Sequence, residues 1–400
     1  MAQRRSAGHL VDESSPPCNG GQLRLQLTTL RCTSILQRTT YGVRNSAEPD
    51  QHPFSLIGSL FGELMKAIVQ DRYGPPDVLQ LTDVDEPVPA DNELLVRVHA
   101  ASVNARDWHI MRGDPYLARL VAPTWGSTGP KTKIRGSDFA GRVEAVGRGM
   151  ARFRPGDEVY GDLREVDGAF AEYLCVPGDL AELKPANLSF ERAAAVPLAA
   201  STALVGLREV GEVRPGHRVL VNGASGGVGT FAVQIAKWLG ADVTGVCSTR
   251  NIDLVQSLGA DHVLDYTSED FTRTGERYDV VFDLVGNRSL TELRRALTPT
   301  GTIVLSGGGV SANGRPRIVG PMALAITGLM LSRLARRHWV RAFTSIPPSK
   351  DHLATLRDLI ESGKVAPIID RAYPLSAVPD ALRYVEVEHP RAKVVISIAA

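Results

Sequence analysis

Val219-Leu-Val-Asn-Gly-Ala-Ser-Gly-Gly-Val-Gly229 is the stretch that most limits what this chain can fold into. A short apolar strand, VLVNG, runs directly into Gly223, Gly226, Gly227 and Gly229. The helical pattern VGTFAVQIAKWLG then closes at Gly240, a residue suited to the turn after a helix. The strand VTGVC follows. Small residues between a strand and a helix let the backbone turn tightly and approach a pyrophosphate. The helix start then offers unpaired N–H groups and the positive end of its dipole. The spacing is not the standard G-x-G-x-x-G, but the strand–turn–helix context is that of a dinucleotide site. Candidate phosphate-binding residues are therefore Ala224, Ser225, Gly226, Gly227, Val228 and Gly229.

The end of the second strand bears on which dinucleotide is bound. It reads Gly245-Val-Cys-Ser-Thr-Arg-Asn251, with no acid at the tip; Asp253 comes later, inside the next helix. An acid there would bond a ribose 2′-hydroxyl and repel a 2′-phosphate. Ser248, Thr249 and Arg250 instead offer hydrogen bonds and charge to such a phosphate. NADPH is expected over NADH, the alternative being that Arg250 is an exposed loop residue.

Around this unit the rhythm of the chain changes twice. From about 188 to 308 strands alternate with helices: HVLDY, YDVVFDLVG and GTIVLSG, with SLTELRRAL between the last two. That alternation predicts a parallel, doubly wound sheet. Residues 65–187 hold short strands broken by Gly, Pro and Asp, the pattern of a small barrel. The tail carries the helix HLATLRDLIESG and the strand KVVISIA, which can return to the first domain and complete it. Residues 1–64 show no hydrophobic period and are expected to be disordered. Their Arg and Ser would suit a transit peptide, but Asp12, Glu13, Glu48 and Asp50 count against one. The expected domains are thus 65–187, 188–319 and 320–400, the last completing the first, after an extension at 1–64.

Several function classes are disfavoured. With a formal net charge of +1, no electrostatic footprint for nucleic acid is present; the basic run Arg333 to Arg341 reads as a solvated helix face. Cys18, Cys32, Cys175 and Cys247 are scattered without a C-x-x-C, so neither a disulfide framework nor a structural zinc site is readable. A reducing, cytoplasmic setting fits. The longest apolar run, Ile318 to Leu331, contains Pro321 and Gly328 and falls short of the ~20 residues of a spanning helix. It reads as a buried helix or a flap over a pocket, with peripheral membrane contact as the alternative.

Taken together, MKAIVQDRYGPPDVLQL, VNARDWHIMRGD, GSDFAGRVEAVG, RFRPGDEVYG, GAFAEYLCV and the run from AAAVPLAASTAL to GASGGVG resemble the medium-chain dehydrogenase/reductase superfamily, in its quinone oxidoreductase-like branch. The resemblance covers residues 65–400. It implies an α/β chain: a GroES-like β-barrel catalytic domain plus a Rossmann domain with a doubly wound parallel sheet, and a homodimer. Zinc-dependent branches carry an early cysteine and a Gly-His-Glu triplet. The corresponding stretches here read Val103-Asn-Ala-Arg-Asp107 and Gly136-Ser137-Asp138, so no metal is expected. Without a Lewis acid, an electrophilic acceptor is the natural substrate: a quinone, an enone or an activated carbonyl.

By the same resemblance Asn104, Asp107 and His109 line the acceptor pocket, with Asp138 a weaker candidate. Asn104 can donate to a substrate oxygen, and His109 stands where relatives often carry Tyr. For Asp107 and His109 a structural account is equally open: Asp107 capping a short helix at Trp108, His109 half exposed. The resemblance also adds Tyr266 beside the adenosine phosphate, and Val285, Gly286, Ser306 and Gly307 near the nicotinamide through backbone contacts. Enoyl-thioester reduction and zinc-free alcohol oxidation are alternatives within the enzyme class. A non-catalytic NADPH-binding sensor or membrane-associated partner is the alternative outside it.

Overall fold

The computed structural model describes residues 63–122, 124–164, 166–306, 330, 339–343, 350–388 and 390–398. The extension 1–62, the apolar run 318–331 apart from Met330, the basic stretch 333–338 and the candidate Gly307 lie outside the described residues. Among the described residues no helix is long and apolar enough to cross a membrane.

The first described segment forms strands at nearly every turn-bounded apolar stretch. β1 (Leu64–Gln70) and β2 (Leu79–Asp85) make an antiparallel hairpin. β3 (Glu93–Val103), β4 (Asp138–Val146), β5 (Glu158–Asp162), β6 (Tyr173–Pro177) and β7 (Ala181–Leu183) follow. β3 is paired along its edges by β4, β6 and a strand from the far end of the chain, and its side chains are buried along most of both faces. Its last residue runs into α1 (Ala105–Arg112), which stops where Gly113 turns left-handed at φ 62°.

Between the two sheets the chain enters α2 (Phe190–Ala194), capped by the Ser189 hydroxyl, and α3 (Pro197–Leu204), which starts on a proline. α3 continues into one widened turn at Val205–Val210. Then come β8 (Arg218–Asn222), α4 (Gly227–Trp238), β9 (Asp242–Cys247), α5 (Ile252–Ser257), β10 (His262–Asp265), β11 (Tyr278–Asp283), α6 (Leu290–Arg295), β12 (Leu297–Leu305) and β13 (Val340–Ala342). All their pairings are parallel, in the order β10-β9-β8-β11-β12-β13. The order reverses at β8 and β11, so a ligand belongs at the carboxyl ends of those two strands.

α7 (Lys350–Glu361), β14 (Ile369–Pro374), α8 (Val378–Val387) and β15 (Lys393–Ser397) complete the described chain. β15 pairs antiparallel with β3, Val394 opposite Val103, and parallel with β14. One core lies inside the barrel, around Leu94, Val96, Phe139, Phe170 and Ile396. A second lies beneath α4, around Val219, Phe231, Ile235, Phe282 and Leu356.

Tyr160 of β5 belongs to the second core and ties it to α7: its hydroxyl donates to the Leu353 carbonyl at 2.8 Å. Burial pushes the Tyr160 phenol far above its usual range, so it stays a donor at all working pH values. Tyr160→Phe should lower unfolding free energy by about 0.5–1.5 kcal/mol, the net worth of one such bond, measured by urea denaturation. No loss would show that this hydrogen bond contributes nothing to holding α7.

Candidate functional site

The glycine loop forms where β8 ends. Gly223 takes φ 92°, and the N–H groups of Gly223 and Ala224 both donate to the Val246 carbonyl of β9, at 3.2 and 3.0 Å. The Gly226 N–H bonds back to the Gly223 carbonyl at 3.1 Å. A Cβ on Gly229 would stand 2.0 Å from that same carbonyl oxygen, so only glycine allows α4 to press onto the loop. The first bond within the helix runs from Thr230 N–H to the Gly226 carbonyl, at 3.0 Å. The N–H groups of Gly227, Val228 and Gly229 precede it and have no acceptor within the helix. Ala224 points inward and is buried against β9, whereas Ser225 is fixed by Asn251, whose amide bonds both Ser225 Oγ (3.0 Å) and Ser248 Oγ (3.2 Å). A glycine-walled helix start of this kind fits a dinucleotide pyrophosphate.

The tip of β9 brings Ser248, Thr249 and Arg250 together. Arg250 donates to the Glu388 carbonyl just after α8, at 3.1 Å. Thr249 is drawn aside: its hydroxyl donates to Asp265 Oδ2 at 2.5 Å. That carboxylate lies at the end of the neighbouring strand β10, and the hydroxyls of Thr249 and Thr267 hold it below the usual range. The fold thus supplies an acid beside the tip that inspection of β9 alone does not show. Tyr266 follows it, 54% exposed, with its N–H on the Cys247 carbonyl at 3.0 Å.

At the reversal of strand order, Asp283 organises the turn after β11. Its Oδ1 accepts from Asn222 Nδ2 at 2.8 Å and from the N–H groups of Val285 and Gly286 at 3.1 and 3.0 Å. Those two backbone donors are therefore spent within the turn, which leaves their carbonyls for any cofactor contact. Val285 also covers Gly223, where a Cβ would meet its Cγ2 at 2.8 Å. Ser306 is buried, its N–H on the Asp283 carbonyl at 3.1 Å.

On the barrel side, Asn104 sits in extended backbone at the start of α1, and the Asp107 carboxylate accepts its N–H at 2.7 Å. The Asn104 amide lies between two charges: Nδ2 donates to Asp138 Oδ2 at 2.9 Å, and Oδ1 accepts from Lys393 Nζ at 2.5 Å. Lys393 is 2% exposed and donates also to the Val103 carbonyl at 3.1 Å. Burial pulls its pKa down, against the attraction of Asp138 and Asp107. Neither Lys393 nor Asp283 is legible as a site residue in sequence, since one reads as a strand start and the other as a strand end.

Asp107, Asp138, Asp162 and Asp167 are all buried here, against Arg106, Arg135 and Lys393. Asp167 takes both arginines. Burial, with Asp167 close by, pushes Asp107 up to about 7, and its Oδ1 has no partner among the described residues. Burial and the Asp138 charge push Asp162 up to about 6. His109 is half-buried, edge-on to Trp108, and its Nδ1 faces the Asp114 carbonyl at 2.9 Å, a contact only a protonated Nδ1 can make. Burial lowers its pKa, so the ring is neutral at neutral pH with its one N–H already spent.

Two families match the chain, the alcohol dehydrogenase GroES-like domain over residues 90–186 and the zinc-binding dehydrogenase over residues 258–396. The human mitochondrial NAD(P)H oxidoreductase RTN4IP1 is 33% identical over 368 residues, covering 84% of this chain and 89% of its own length. The chain is a medium-chain dehydrogenase/reductase of the quinone oxidoreductase-like branch. An NADPH-dependent alkenal/one oxidoreductase of Arabidopsis thaliana chloroplasts is 33% identical, over 83% of this chain and 79% of its own. Among solved structures, a quinone oxidoreductase from Coxiella burnetii superimposes with a TM-score of 0.72 at 32% identity, covering 84% of this chain and all of its own. A mycobacterial protein complexed with NADPH gives 0.67 at 28% identity, over 83% of this chain and 99% of its own. The superfamily uses a nicotinamide cofactor, and the glycine loop fits one. Among the described residues no three His, Cys, Asp or Glu side chains stand together to hold a metal ion.

The raised Asp107 has a consequence for stability. Folding gives this carboxyl a proton that the unfolded chain holds only below pH ~4. Its contribution is complete in acid and is lost as pH rises through about 7. Asp107→Asn keeps an acceptor for the Asn104 N–H but does not titrate. Relative to wild type, its urea midpoint should rise between pH ~5 and pH ~8. A flat difference would show that Asp107 does not titrate in that window.

Proposed function

We propose that this chain is a zinc-independent oxidoreductase that uses NADPH to transfer hydride to a quinone, an enone or an activated carbonyl. The observation that carries this reading is the closeness of two parts: a glycine-walled helix start suited to the cofactor, and the Asn104–Asp138–Lys393 cluster of the barrel. A Cβ on Gly227 would meet Lys393 Cδ at 3.1 Å. The names of the relatives, acting on alkenals, enones and quinones, support the acceptor class.

NADPH, when bound, supplies the hydride. Gly227, Val228 and Gly229 would hold its pyrophosphate, and Ser248 and Arg250 its 2′-phosphate, against the Asp265 carboxylate beside them, whose oxygens are taken up by the Thr249 and Thr267 hydroxyls. Tyr266 would flank that phosphate; Val285, Gly286 and Ser306 would lie beside the nicotinamide. At the acceptor, the Asn104 amide keeps one N–H on a weak contact, 3.5 Å from the Ser102 carbonyl. That hydrogen is the donor this reading gives to the oxygen where charge develops. Asp107 and His109 serve here as the cap of α1 and as a neutral wall. The cluster's donor set of amide, hydroxyl, ammonium and carboxylate offers neither the thiolate nor the imidazole of a catalytic zinc site.

The reading takes 65–187 with the returning tail through β14 and β15 as the catalytic domain and 188–319 as the NADP-binding domain, in a cytoplasmic homodimer; β13 (Val340–Ala342), expected within the catalytic segment 320–400, instead extends the parallel sheet beside β12. The β15–β3 pairing supports the first assignment. The free thiols Cys175 and Cys247, pushed up by burial to about 12 and about 11, suit a reducing compartment.

The test is NADPH consumption by the purified protein with quinones, enones, aldehydes and an enoyl thioester, each repeated with NADH and with a chelator. Chelator-resistant turnover with quinones or enones is expected. Tight NADPH binding with no turnover would instead favour a sensor. Arg250→Ala should weaken NADPH binding by about 1.5–3 kcal/mol, the scale of a charged hydrogen bond, and leave NADH binding unchanged. Equal losses for both cofactors would remove Arg250 from the phosphate site.

A further inference from the structure

We propose that Lys393 is a positioning residue for the reduction step, acting through the Asn104 amide, whose orientation it fixes together with Asp138. The inference rests on the reading that Asn104 faces the acceptor. An asparagine amide presents a donor on one side and an acceptor on the other, and an exposed one turns freely between the two. At Asn104 the two sides are distinguished by charge: ammonium on Oδ1 at 2.5 Å, carboxylate on Nδ2 at 2.9 Å. A flip would set NH2 against the ammonium and C=O against the carboxylate, losing two charge-assisted bonds at once. Asp138 is itself immobilised, with Ser102 Oγ on Oδ2 at 2.8 Å and the Leu198 N–H on Oδ1 at 3.0 Å.

This lock comes at a cost to the fold. Lys393 and Asp138 are almost wholly buried, and removing an ammonium and a carboxylate from water is expensive even when they lie 3.6 Å apart. An apolar residue at the start of β15 would fill the same space without that cost. What the ion pair adds is direction, and the direction falls on the amide at the start of α1, held by the lysine whose stem packs on Gly227. The backbone reinforces the link, since the Ala392 N–H donates to the Ser225 carbonyl at 2.8 Å.

Lys393→Met keeps the stem that packs on Gly227 and removes the charge. The variant should bind NADPH within about threefold of wild type, by fluorescence titration, while kcat falls about tenfold to a hundredfold. In an Asn104→Ala background the same change should cost no further kcat, because the amide it orients is gone. Equal losses in the two backgrounds, or an unchanged kcat, would overturn the inference. Should Lys393→Met fail to fold, Lys393→Met with Asp138→Asn removes the stranded carboxylate as well, and a wild-type kcat in that protein is equally contradictory. A wild type that consumes no NADPH with any acceptor overturns the functional reading and this inference together. An active wild type matched by its Lys393→Met variant overturns the inference alone.

Discussion

Register between β15 and β3 decides where Lys393 goes. The ladder runs from Val394 opposite Val103 to Ser397 opposite Ala100 and joins segments nearly three hundred residues apart in the chain. Side chains alternate along a strand, so a slip of one residue would send Lys393 to the opposite face. In the observed register its ammonium meets Asn104 and approaches Asp138, while its stem packs against the first turn of α4. The barrel and the dinucleotide loop are thereby joined through one side chain.

That junction explains why so much charge is buried in one place. A lone internal carboxylate would be prohibitive, but Asp138 has an ammonium, an amide, a hydroxyl and a backbone N–H around it. Asp167 is met by two arginines. Asp107 is left as the acid without a cation of its own, and the folded state answers by holding its proton to higher pH. The same arrangement ties the polar end of β3 to the start of α1 through Asn104, Asp107 and Asp138.

The glycine loop could be read from sequence because its physics is local. Strand, tight turn and helix are adjacent in the chain, and the left-handed Gly223 and the crowded Gly229 are demanded within seven residues. The same holds for β3, whose span ELLVRVHAASV is apolar but for Glu93, Arg97, His99 and Ser102. What escaped inspection depends on distant pairing. Lys393 looks like a solvated strand start until β3 covers it, and Asp265 reaches Thr249 only because β10 lies beside β9. α2 and α3 left no helical stripe, since AAAVPLAAS is small and apolar all round and is buried nearly all round. His109, read as a pocket residue or a half-exposed one, has its Nδ1 on the Asp114 carbonyl, a contact its identity alone does not announce.

The most direct test of the account follows the hydride itself. NADPH deuterated at the transferable C4 position, turned over with an enone in the presence of chelator, should deliver its deuterium to a carbon of the product, read by mass spectrometry. Product that carries only solvent hydrogen, or cofactor that keeps its label while bound at the glycine loop, would contradict hydride transfer at this site.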